Sequence, residues 1–470
     1  MEKRNVYFLT EQKINTLLEL HQTGRYVEAE KLSLSITKNF PKHQLAWKVL
    51  ALALKQNGKI SESLIAIQKS VQLEPRDSNA HYNLGVILQE LRRLDEAEVC
   101  FRQTIKLKPD YAEAHNNLGV TLKELGRFEE SEACYRKAIS LKPNYVEAHR
   151  NLAITLVDMG RLEEAMSNYT KVIELKPHLP QSLQDLAGLL TSYVPHEGFS
   201  NLVVKVNEEI KKNYLKEKTI GIISDDKIIK LFNQSTSVIK KYNLKIETQS
   251  CQAFRQNSIN LNCERHMKVF NEFNIIPKFC FGCYKVQVEP TTILELIKLL
   301  LVLDQIKLIK NNIRKCMVEM RPEISGFYKG LIYCSNLEEA YQIANYIEIL
   351  VKENIGSKMN IIVKRGCSEY PIAFPDYKEI NRSENKLMKY NEKWKLIEED
   401  YDLLNPLKSK RIITPTLTGL NLQDILIIRN WIDYAKGIGD PSVHLLKQNT
   451  IFSQKIFNKA KTRLGKYKEK

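Results

Sequence analysis

Long apolar runs are missing from this sequence: no stretch reaches the roughly 18 consecutive apolar residues that a helix needs to cross a bilayer. The richest segment, Ile293 to Ile309, is broken by Glu295, Lys298, Asp304 and Lys307. The opening MEKRNVYFLTEQK lacks the apolar stretch and small-residue cleavage site of a secretory signal. Neither a Gly-x-Gly-x-x-Gly pattern nor a Walker-type lysine loop occurs, so nothing local supports nucleotide binding. These absences make a cytoplasmic protein without a membrane span the expectation. There the nine cysteines stand as reduced thiols or metal ligands, not as disulfides.

What is present is ordinary for a folded chain, with 43% hydrophobic and 27% charged residues over 470 positions, enough for two or three domains. The charge is distributed unevenly. Residues 1–200 hold 26 Lys and Arg against 25 Asp and Glu, which leaves 45 against 30 for the remainder, an excess of +1 followed by one of +15. A basic second half attracts anionic surfaces at long range. The plainer account is that lysine is its default surface residue.

Three segments superpose with a period of 34: residues 78–111, 112–145 and 146–179, with a divergent copy at 44–77 and another at 10–43. A fixed period of this length is the mark of a solenoid, whose units bury their apolar faces against one another. Each unit reads as two helices. In the 112–145 copy Leu118, Gly119 and Leu122 share a face of the first, Ser131, Tyr135 and Ala138 a face of the second, with Gly126 between them and Pro143 closing the unit. The pattern resembles the tetratricopeptide repeat (TPR), and residues 180–193 read as one further first helix. His81, His115 and His149 recur at the fourth position, where that family commonly has Trp, and read as half-buried packing residues.

In such arrays the first helices form a concave wall. Here it would carry Asn83, Asn117 and Asn151, then Val86, Val120 and Ile154, then Glu90, Glu124 and Asp158. An amide both donates and accepts, so evenly spaced asparagines can pair with the main chain of an extended peptide, and the acidic row would favour a basic one. The AHNNLG-type units are similar to those of O-linked N-acetylglucosamine transferases, a resemblance confined to the repeats. It implies a peptide-holding asparagine ladder and raises a glycosyltransferase as an alternative. The region after the repeats is short for two nucleotide-binding lobes and has no sugar-nucleotide loop.

Beyond the repeats, residues 219–250 suggest strand, helix, strand. From 283 the series runs CYKVQVE, an apolar helix at 291–308, RKCMVEMRP, YKGLIYC, a helix at 337–354 and MNIIVKRGC. This β-α-β-β-α-β order spells a ferredoxin-like unit with the first and third strands central. The expected fold is therefore an all-α solenoid over 1–195, a linker with a small βαβ-like segment at 196–275, a cysteine-rich ferredoxin-like α+β domain at 276–375 and a charged helical region at 376–470. The stretch YKGLIYCSNLEEAYQIANYI echoes an RNA-recognition motif, but CYKVQV offers no stacking aromatic on its exposed face, which argues against nucleic acid.

The cysteines leave three readings open. Cys263, His266, Cys280 and Cys283, as Cys-x-x-His and Cys-x-x-Cys, have the ligand types and pairing of a zinc knuckle. Alternatively some of Cys280, Cys283, Cys316, Cys334 and Cys367 hold an iron–sulfur cluster or form a redox pair, since the expected topology gathers Cys283, Cys316, Cys334 and Cys367 at one end of the sheet. Or they are buried structural thiols. The reading that unites these features is an interaction scaffold: the repeats capture an extended, basic segment of a partner protein, and the C-terminal domain adds a second, basic binding surface. Residues 440–470, ending in a basic helix or a solvated arm, could dock onto the acidic row of their own chain.

Overall fold

The computed structural model describes residues 10–177, 179–196, 199, 201–216, 221–255, 261–310, 312–380, 387–405, 415–447 and 450–468. Two compact units emerge, Met1–Met159 and a second built from Gly160–Leu407 and Arg411–Lys470, so the division falls inside the 146–179 copy.

The first unit is a succession of helix pairs: α1 (Glu11–Gln22) with α2 (Tyr26–Asn39), α3 (Gln44–Gln56) with α4 (Ile60–Leu73), α5 (Ser78–Glu90) with α6 (Leu94–Leu107) and α7 (Ala112–Glu124) with α8 (Phe128–Leu141), followed by α9 (Val146–Asp158). The turn inside each pair needs a left-handed residue, supplied by Gly24, Gly58 and Gly126 at φ near +80°. At the same register, 34 residues from Gly58 and from Gly126, stands Arg92, held at φ 63°. The pairs close tightly because one side is bare. A Cβ on Gly85 would lie 2.7 Å from the Phe101 ring, and one on Gly119 2.7 Å from that of Tyr135. Ser131 Oγ donates to the Gly119 carbonyl at 2.7 Å, and Ser63 Oγ to that of Ala51 at the same distance. These hydroxyls are wholly buried, so the bonds fix the pairing without leaving a polar group unmet.

The second unit opens with α10 (Leu162–Leu175), α11 (Pro180–Leu189), α12 (Leu202–Lys216) and α13 (Asp225–Lys241). Of the strand expected at 219–223, residues 219 and 220 lie outside the described residues and Gly221–Ile223 is not extended into a strand; Ile223 N–H instead donates to the Asn354 carbonyl at 2.7 Å. The second strand expected before residue 250 lies later, as β1 (Gln252–Arg255). The chain continues through α14 (Cys263–Phe273), β2 (Tyr284–Glu289), α15 (Ile293–Gln305), β3 (Arg314–Val318), β4 (Tyr328–Cys334), α16 (Leu337–Ile355) and β5 (Asn360–Arg365).

The strands form one antiparallel sheet in the order β1-β3-β4-β2-β5. Val286, Val288, Ile332 and Cys316 are fully buried on the face that carries α15 and α16. Gly330 permits this approach, since a Cβ there would meet Leu299 at 2.5 Å. The opposite face carries Lys285, Gln287, Lys315, Lys329 and Lys364 by the alternation of the strands.

After the short helix α17 (Tyr370–Ala373), α18 (Lys393–Leu404) covers part of the charged segment expected from 378; residues 381–386 of that segment lie outside the described residues. The helix α19 (Leu422–Ile438) is nearly all buried, with Trp431 and Tyr434 wholly enclosed and Asn421 and Asp424 forming a capping box. The last helix, α20 (Gln454–Lys468), takes the helical one of the two forms expected for the basic tail and corrects the solvated one. It packs on α19 so closely that a Cβ on Gly437 would lie 2.5 Å from that of Ala460. Arg463 is buried and donates to the carbonyls of Arg321, Ile324 and Gly326. The reason is chemical: one guanidinium can satisfy several turn carbonyls at once, which the sequence pattern of a charged tail conceals.

Candidate functional site

The asparagine row is half-buried and partly linked to itself. Asn151 Nδ2 donates to Asn116 Oδ1 at 3.0 Å, Asn116 Nδ2 to Asn117 Oδ1 at 3.1 Å, and Asn117 Nδ2 to the Tyr82 hydroxyl at 3.0 Å. A chain of amides thus crosses from α9 to α5 and orients the side chains. The Asn83 side chain makes no hydrogen bond among the described residues. Val86, Val120 and Ile154 are half-buried beside the row. Tyr82 stacks on Tyr111, with ring centroids 5.0 Å apart, and burial pushes the phenol of Tyr111 up to about 12.

The acidic row is not free charge. Lys55 pairs with Glu90 at 2.7 Å, Arg92 with Glu124 at 2.5 Å and Lys123 with Asp158 at 3.2 Å. Each carboxylate therefore meets a cation from the preceding repeat. The recurring histidines are structural: Nε2 of His81, His115 and His149 lies 2.9–3.0 Å from the carbonyl oxygen of Pro75, Pro109 and Pro143. With the proton on Nε2, each ring donates to the carbonyl of the proline that closes the previous unit.

In the second unit the cysteines separate. Cys283 and Cys367, together with Cys263 at the start of α14, are electrostatic neighbours of Lys285, and Lys285 Nζ donates to Cys367 Sγ at 3.4 Å. Burial opposes the Lys285 charge, but the thiolate forms of these cysteines and the Tyr333 phenolate hold its pKa above the usual lysine value. Cys280 turns into an aromatic cluster, its sulfur 3.3 Å from the Tyr370 hydroxyl, and burial raises its thiol to about 12. Cys316 and Cys334 face the helices; Cys316 sits in mid-strand opposite Gly330, away from the sheet end that Cys334 shares with Cys283. His266 lies apart from the three thiols, stacked on Phe279 with centroids 5.0 Å apart, and burial depresses its pKa to about 4. The structure therefore does not gather Cys263, His266, Cys280 and Cys283 around one point, and among the described residues no three His, Cys, Asp or Glu side chains are placed to hold a metal ion.

Residues 78–111 and 112–145 each match the family model described as tetratricopeptide repeat, and residues 134–166 match a second model of that description. These segments are tetratricopeptide repeats. Similar solved structures include MamA, at 20% identity and a TM-score of 0.33 over 36% of this chain and 97% of that one. Others are MamA from Desulfovibrio magneticus RS-1 (20%, TM-score 0.34, 36% of this chain and 96% of that one) and PilF from Pseudomonas aeruginosa (18%, 0.36, 38% and 82%). A comparison with curated proteins gave no match.

Within the TPR wall the residues that sequence reasoning missed are Tyr82, Asn116 and the cations Lys55, Arg92 and Lys123. All recur near 34-residue spacing from groups already singled out. The legible signal was that each acidic position is preceded, one repeat earlier, by a basic side chain. In the second unit the missed feature is the lysine row opposite the helices, visible as the polar half of the alternating strand patterns. Among the described residues no helix is long and apolar enough to cross a membrane.

Proposed function

We propose that this chain is a protein-interaction scaffold whose TPR wall holds an extended segment of a partner protein. The observation that carries the reading is the amide chain from Asn151 to Tyr82, which, through the buried Asn116, fixes Asn117 and Asn151 in register while leaving these two half-exposed beside an apolar row. Such pre-organisation lowers the ordering cost of gripping a peptide main chain. Selection by charge is weaker than the acidic row alone suggests, because a basic peptide would compete with Lys55, Arg92 and Lys123 for the same carboxylates. For the sheet, a ferredoxin-like reading is supported by the adjacency of β2 and β4 with β5 and β3 outside them.

Affinity capture with the full chain and with a variant carrying Asn83→Ala, Asn117→Ala and Asn151→Ala tests the wall. Proteins retained by the wild type and lost by a variant of unchanged melting temperature support it. Identical capture by both would reject the amide row as the binding element.

A further inference from the structure

The sheet face opposite α15 and α16 encloses lysines that have no carboxylate beside them among the described residues. Lys285 on β2 lies directly opposite Lys364 on β5 and Tyr333 on β4, and Lys315 on β3 lies opposite Leu331, two residues from Tyr333 on the same face. Lys285 is 5% exposed, whereas Lys315 and Lys364 are half-buried, so the first lies at the floor and the others at the rim.

None of the three has a carboxylate partner among the described residues. Lys285 Nζ meets the Cys367 sulfur and the Tyr333 ring, whose centroid is 4.9 Å away. Lys315 Nζ donates to Gln252 Oε1 at 2.9 Å, and Lys364 Nζ to Ser368 Oγ at 2.6 Å. The nearby carboxylates are committed: Glu319 is held between Lys329 and Arg321, and Glu369 is paired with Arg321. Consistent with crowding of like charge, burial and the Lys285 ammonium bring Lys315 down to about 8 and Lys364 to about 7.

Three lysines on one face, one buried and two half-buried and none with a carboxylate partner among the described residues, carry their charge at a cost that loss of a proton or arrival of an anion relieves. Lysine ammonium is a compact point charge suited to phosphoryl oxygens. We propose that Lys285, Lys315 and Lys364 form a binding site for a phosphoryl dianion on the sheet face opposite α15 and α16. The hydroxyl of Ser368 supplies a further donor at the rim. The site is independent of the TPR wall, and either can stand without the other.

The test is thermal unfolding of the full chain with increasing inorganic phosphate or glycerol 3-phosphate, against potassium chloride at matched ionic strength, with equilibrium dialysis of labelled phosphate alongside. A bound anion raises the melting temperature saturably. Inorganic phosphate acting alone identifies the free ion as the ligand, and a stronger effect of the monoester identifies an organic phosphate. Lys285→Met and Lys364→Met are expected to raise the melting temperature without phosphate, by relieving repulsion, and to weaken phosphate binding by roughly tenfold or more. A phosphate effect no larger than that of chloride would overturn the proposal, as would unchanged phosphate binding in Lys364→Met. Should Lys285→Met fail to fold, the rim variant decides alone.

Discussion

Arg92 shows how much a single backbone position can resist its neighbours. The repeat demands a left-handed turn there, four other copies use glycine (Gly24, Gly58, Gly126 and Gly160), and only this one places a Cβ at positive φ. For an L-residue that conformation costs roughly 1–2 kcal/mol. Arg92→Gly relieves the strain and forfeits an exposed pair with Glu124, worth little in water. The variant is expected to gain about 0.5–1 kcal/mol in urea denaturation. A loss would mean that the Arg92–Glu124 pair outweighs the strain. The histidines teach the converse: read from sequence as half-buried packing residues, they also bridge to the proline carbonyls of the previous unit.

Among the elements, α20 differs most from its sequence pattern. Its basic residues suggested a free arm, yet Ile456 and Ala460 are buried and Arg463 closes the turn between β3 and β4. Removing that guanidinium takes a donor from the carbonyls of Ile324 and Gly326 and from the Tyr434 hydroxyl, and leaves the Arg321 carbonyl only the long bond from Ile324 N–H. Arg463→Met is expected to destabilise the second unit by about 3 kcal/mol in chemical denaturation, against less than about 0.5 kcal/mol for the exposed neighbour Lys459→Met. Equal effects would show that Arg463 merely decorates the surface. Deleting residues 440–470 would for the same reason be a poor probe of autoinhibition, since it removes part of the folded unit.

For the molecule as a whole, acid stability follows from three groups with different windows. His266, buried and held at about 4 against an ordinary 6.5, binds its proton more readily when unfolded. Its contribution is complete above pH 6.5 and is lost as pH falls toward 4. Asp433 acts in the opposite direction: burial raises its carboxyl to about 6, so it favours the fold at low pH and ceases to do so as pH rises through 6. For Glu319 burial works against the charge, but Arg321 and Lys329 prevail and hold the carboxyl at about 2. Its contribution is present above pH 4.5 and fades toward 2. Comparing wild type with His266→Phe, which keeps a ring against Phe279, the stability difference should shift in favour of the variant between pH 6.5 and 4 and stay flat above 7. A difference independent of pH would remove His266 from this account.

Periodicity alone specifies the repeats, because a solenoid unit touches only its neighbours and must repeat its contacts in its sequence: Gly85 and Gly119, Phe101 and Tyr135, Pro109 and Pro143 all sit 34 residues apart. The alternation of CYKVQVE likewise announced a strand, but its polar face, with Lys285 and Gln287, is buried as well. What sequence left open was every relation between residues distant along the chain. Which thiols meet Lys285, why His266 stands apart from them, how Arg463 reaches residues some 140 positions earlier and how three lysines without a carboxylate partner among the described residues come to share one sheet face were decided by the pairing of strands and the docking of α19 and α20. Such contacts have no period: they arise once, from packing, and only the folded chain specifies them.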